Sequence, residues 1–294
     1  MAAMVQEVPR RYVEQLQTTV ETMRRRGLAV YDGIFRIGNR SATLIEKARE
    51  VVEPAAYDVK DFVVSAVGNM EPLPENNRDL RNNLLELYLG ISVLTLGLSA
   101  GSISGATFVG SIFSTLVNPF IELASLFAIP GYAYYQFKKN AGIDETERRV
   151  WLFAVAFFIG AIFGHALGAR LLSTVPSVLF ILPMTLALLI DYELAPRDLF
   201  ADRQRLVIAA SGLGGIVAYV LSYFVAGFAM GPIFAIVANS ALLWIHFQIT
   251  NAAQKNQNIT STDLQFGYII AALLVQVLIA VILGNGKFGQ HYDN

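Results

Sequence analysis

The chain has 294 residues, 54% of them hydrophobic and 15% charged, with a formal net charge of −1. A soluble domain carries about 25% charged residues, so an ordinary soluble enzyme or binding module fits poorly, and the near-neutral balance gives no reason to expect a nucleic-acid partner. The absence of cysteine excludes disulfides and thiol chemistry.

Residues 1–80 are the polar part and hold half of the 22 Lys and Arg. Val13, Leu16, Val20 and Met23 recur at three- and four-residue spacing, which marks one face of a helix. A second apolar series runs through Leu44, Ile45, Ala48, Val51 and Val52, breaks at Pro54, and resumes at Val59, Phe62, Val63 and Ala66. Pro72, Pro74 and Asn76-Asn77 read as a linker. The expectation is an amphipathic helical segment in the cytosol, suited to a protein partner or to anionic lipid. Glu7, Glu14 and Glu21 among the arginines argue against a mitochondrial transit peptide, and the polar start argues against a cleavable signal.

From Leu84 onward the apolar residues fall into seven blocks: roughly Leu84–Ala100, Phe108–Phe137, Val150–Gly168, Val175–Tyr192, Leu206–Phe228, Pro232–Thr250 and Phe266–Gly284. A helix needs about 20 residues to cross a hydrocarbon core about 30 Å thick. None alternates as a barrel strand would. The predicted fold is therefore all-α: a seven-helix transmembrane bundle over residues 81–285, after the helical segment 1–80 and before a short polar tail at 286–294. The lipid bilayer is the first partner this implies.

Basic residues in short loops mark the cytoplasmic side. Arg78, Arg81, Lys138, Lys139, Arg148, Arg149, Arg197, Arg203, Arg205 and Lys255 fall on one side, against Arg170 and Lys287 on the other. This split predicts a cytosolic N-terminus. It also places the sequons at Asn39 and Asn258 in the cytosol, unglycosylated. The seventh block is the one span that could instead dip in and return.

Within the spans, glycines repeat every fourth residue at Gly97, Gly101 and Gly105 in the first and at Gly160, Gly164 and Gly168 in the third. Small residues let helix backbones approach in lipid, so these are helix-contact faces. Polar residues in spans are costly and more informative. The second block carries Ser111, Ser114, Thr115, Asn118, Glu122 and Ser125 along one line, with Glu122 near mid-membrane. The sixth carries Asn239, His246 and Thr250 on one face; Asp191, ending the fourth, stands at a similar depth to His246. His165 lies beside the third span's glycines and faces protein. Asn118, Glu122, His165, Asp191, Asn239 and His246 are thus the candidates for a polar pathway or pH-sensing role, with ions or protons as the species moved. A seam of helix-bonding polar groups accounts for the same residues without transport. Asp198 and Asp202 read as solvated loop charges. No paired-histidine metal motif, nucleophile elbow or phosphate loop is present, so neither an enzyme nor a cofactor is expected.

The run ERRVWLFAVAFFIGAIFGHALGARLLSTVPSVLF resembles the third and fourth spans of the Bax-inhibitor family of membrane proteins. The resemblance is carried by Glu147-Arg148, Gly164-His165-Ala166-Leu167, Pro176-Ser177 and the glycine-rich Ser211–Gly215. It implies a seven-helix bundle in the endoplasmic reticulum or a related endomembrane (a mitochondrial membrane is the alternative), cell-death regulation and a pH-sensitive calcium leak. The family's gate is an aspartate pair on the last two helices. Here the first site reads Ile245-His246-Phe247-Gln248, matching only at the glutamine, and the second falls near Gly267. His165 stands where the family has a proline, and Gly168 where it has an acidic residue. A fold kept with an altered gate is one outcome of this pattern; a non-conducting adaptor acting through residues 1–80 is the other.

Overall fold

The computed structural model describes residues 60–68, 71–74, 77–110, 112, 119–139, 144–191, 197–253 and 259–284. Most of the N-terminal segment, Asn118 and both sequons lie outside them. Every regular element among the described residues is helical. The chain divides into two units, residues 1–60 with 131–151 and residues 61–130 with 152–294. In the first unit, Lys138 and Lys139 fold back over the rings of Tyr134 and Tyr135, one turn earlier on their helix. Trp151 Nε1 donates to Glu147 across one turn at 3.4 Å.

After a helical stretch at 60–68 come α1 (Arg78–Ala106), α2 (Pro119–Lys139), α3 (Glu145–Leu167), α4 (Ala169–Thr174), α5 (Ile181–Ile190), α6 (Arg197–Ala201), α7 (Arg203–Ala226), α8 (Met230–Ala253) and α9 (Ser261–Leu283). The ends are written in the sequence. Asn77 caps α1 by accepting from Leu80 N–H. Asp202 caps α7, accepting from the N–H groups of Gln204 and Arg205, so it is a helix cap and not a free loop charge. Thr260 and Asp263 form a reciprocal capping box on α9. The 71–74 stretch is docked: Leu73 is buried and its N–H donates to the Ala201 carbonyl.

Five of these helices are long and apolar enough to cross a membrane: Arg78–Ala106, Thr146–Leu167, Arg203–Val225, Met230–Ala253 and Ser261–Leu283. They expose apolar stripes outward, such as Ile208, Ile216, Val220 and Phe224 on α7 and Leu274, Leu278 and Ile282 on α9. Stripes of this extent on a soluble protein would drive aggregation; here they face lipid. The chain is a multi-pass membrane protein. The last helix is unbroken over 23 residues, about 34 Å, long enough for a full crossing.

The fourth apolar block departs from expectation. It is helical only over the 10 residues of α5, about 15 Å, half a bilayer core. Pro176 explains the break: it disfavours helix at the residue before it, and Val175 is extended at φ −109, ψ 115. Yet the broken segment runs from one end of the bundle to the other. At its start, Arg170 donates to the carbonyls of Ala280 and Val281 in the last turn of α9. At its end, the carbonyl of Ile190 receives the Nε–H of Arg81 from the first turn of α1 at 2.7 Å. Midway, Ser92 donates to the Phe180 carbonyl at 2.9 Å. Irregular backbone at membrane depth survives only where protein covers it. Here Val175 and Pro176 are buried, and α1 and α7 pack along α5.

The two glycine series meet each other. A Cβ on Gly101 would strike the Phe157 carbonyl, and one on Gly105 the Ala161 carbonyl. Reciprocally, Gly160 lies against the Leu98 carbonyl and Gly164 against that of Ser102. α1 and α3 thus cross backbone to backbone. Gly168, at φ 48 between α3 and α4, turns the chain in a conformation that side chains resist.

Candidate functional site

Glu122 lies in the first turn of α2, because that helix begins at Pro119. Proline suits a first helical position, and an acid there complements the helix dipole. His165 lies in the last turn of α3. Its Nδ1–H donates to Glu122 Oε1 at 2.8 Å, with both side chains largely shielded (14% and 9% exposed). Two of the six candidates therefore form one pair across 43 residues of sequence. Of the rest of the second block's polar line, Ser125 bonds back to Ile121 of its own helix, while Asn118, Ser111, Ser114 and Thr115 lie outside the described residues.

The polar face of α8 goes elsewhere. His246 Nε2 stands 3.0 Å from the Leu264 carbonyl on α9. A carbonyl only accepts, so Nε2 carries a hydrogen, and in the neutral ring Nδ1 is the acceptor. The Tyr88 hydroxyl of α1 stands 3.2 Å from Nδ1 and Thr250 Oγ1 3.4 Å from it, and Tyr88 also donates to Thr250 Oγ1 at 3.4 Å, so the two hydroxyls share the acceptor. The Tyr268 ring of α9 stands edge-on to His246 at 5.0 Å. This is a buried hydroxyl–imidazole–hydroxyl cluster shared by α1, α8 and α9. Among the described residues, the polar candidates thus fall into two clusters on different helices. Asp191 closes α5, its N–H bonding to Ala187 and Leu188 carbonyls, and is half-buried. It shares an end with His246, but both ring nitrogens of His246 are already engaged. Asn239 is buried on α8, its Nδ2 donating to Ala235 at 2.8 Å.

The sequence reading missed Tyr88, Tyr268 and Arg81. The tyrosines sit in apolar runs, where a hydroxyl raises no flag. Arg81 was counted only for topology, yet it is buried, with its guanidinium 4.3 Å from the Phe200 ring centre. Chemically, Glu122–His165 joins two helices through a carboxylate–imidazole contact, and the α8 cluster joins three through hydroxyl and imidazole groups. No group of three or more His, Asp or Glu side chains gathers as a metal site among the described residues. Comparison with protein-family models, curated proteins and solved structures finds no match.

Proposed function

We propose that this chain is a Bax-inhibitor-like endomembrane protein that leaks protons or calcium, with its charge-bearing control group rebuilt as Glu122–His165. The 2.8 Å contact between those residues carries the reading. In the resembling family an acidic side chain belongs at the position of Gly168; here a carboxylate arrives from α2 and is held by a histidine three residues earlier. Seven crossings from a cytosolic N-terminus fit the five long apolar helices together with α2 and the broken α4–α5 traverse. Reconstitution into calcium-loaded or pH-dye-loaded liposomes tests it. Flux that changes between about pH 5 and 8, where histidine titrates, and falls in Glu122→Gln, is expected. Absence of flux throughout that range removes the leak.

The second reading is a non-conducting adaptor. It draws on the internally satisfied His246 ring and on the basic N-terminal segment. It requires that removing residues 1–75 abolish partner capture while the bundle stays folded; capture that survives the truncation defeats it.

A further inference from the structure

Outward from the His246 ring, the seam between α1, α8 and α9 has a second polar level. Asn239 precedes His246 by seven residues, about 10 Å along α8. Gln276 follows Tyr268 by eight, about 12 Å along α9. The two helices run antiparallel and the His246 and Tyr268 rings touch, so these two carboxamides stand at one height. Gln265 lies against Gly90 of α1, a contact that fixes the height of α1 beside α9. Ser99, nine residues beyond Gly90, and Gln276, eleven beyond Gln265, then come within about one turn of each other. Asn239, Gln276 and Ser99 are all buried, at 2%, 3% and 7% exposure.

Among the described residues, Gln276 Nε2 has no hydrogen-bond partner. A primary amide brings two N–H donors, and leaving them dry in a membrane interior is expensive. Buried water answers such groups where two to four polar partners converge. We propose that this level holds captive water, which accepts from Gln276 Nε2–H and donates to the amide oxygen of Asn239, with the Ser99 hydroxyl as a third partner. The seam that contains Tyr88, His246 and Thr250 is then wet part-way across the bilayer. The site lies on helices other than those of Glu122–His165 and stands independently of it.

Synchrotron radiolysis of the full-length protein in nanodiscs generates hydroxyl radicals from bound water and oxidises adjacent side chains. Leu273, one turn from Gln276 on the buried face of α9, is expected to be oxidised several-fold more than Ile159 and Leu182, fully buried at 0% exposure. In Gln276→Leu that excess disappears. Oxidation of Leu273 no greater than at Ile159 and Leu182 overturns the proposal, as does an excess that persists unchanged in Gln276→Leu. The wild-type comparison decides alone if the variant fails to fold.

Discussion

Arg81, in the first turn of α1, donates through Nε to the carbonyl of Ile190 at 2.7 Å and so closes the last turn of α5 from another helix. The same guanidinium stacks on Phe200. Hydrogen bonds to charged groups contribute about 1.5–3 kcal/mol. Arg81→Gln is therefore expected to lower stability by about 2 kcal/mol, read as a drop in melting temperature in nanodiscs. Arg81→Lys should recover little of it, because an ammonium lacks the planar face and fork of donors. A lysine variant as stable as wild type would rule out this account.

The glycine crossing predicts a sharp split among Gly→Ala changes. Gly105→Ala and Gly164→Ala drive a methyl into the backbone of the facing helix, and overpacking costs about 1–3 kcal/mol. Gly212→Ala and Gly267→Ala meet nothing within 4 Å and should stabilise by about 0.5–1 kcal/mol through helix propensity. Thermal unfolding of the four variants side by side checks the order.

Gly168→Ala fails for a different reason. Its φ of 48 places a side chain in a region disfavoured by about 1–2 kcal/mol for L-residues. The expected signature is a lowered melting temperature for Gly168→Ala, although the site sits at the junction of two helices and not inside either.

Glu122 and His165 should be coupled energetically. A double-mutant cycle with Glu122→Gln and His165→Asn is expected to give about 2 kcal/mol of interaction energy. Additive effects would mean that the contact contributes nothing.

The cysteine-free chain invites single-cysteine labelling. Asp144→Cys should react with a membrane-impermeant maleimide from the cytosolic side only, and Phe228→Cys from the opposite side only. Labelling of both from one side contradicts the orientation.

The sequence was most readable where periodicity and lipid act together. Five of the seven apolar runs became long helices, and the glycine spacing on α1 and α3 became their crossing. It was least readable where a pair depends on helix rotation. Glu122 and His165 could be named but not matched, because hydropathy fixes neither azimuth nor where α2 begins. Pro176 was visible, but its effect was not, since an average over the block hides one residue that halves the helix. Depth alone relates His246 to Asp191 and names no neighbour; Tyr88 and Tyr268, which do adjoin His246, were concealed as aromatic residues in apolar surroundings.

Arg170 reaches carbonyls at Ala280 and Val281, 110 and 111 residues further along the chain. A ribosome adds about 5–20 residues per second, so the clamp waits on the order of 10 s for its far half to be made. Until the last helix enters the bilayer, the α4 end of the bundle lacks this fastening. A product stopped before residue 280 would carry the same early helices and the same hydropathy, yet never latch.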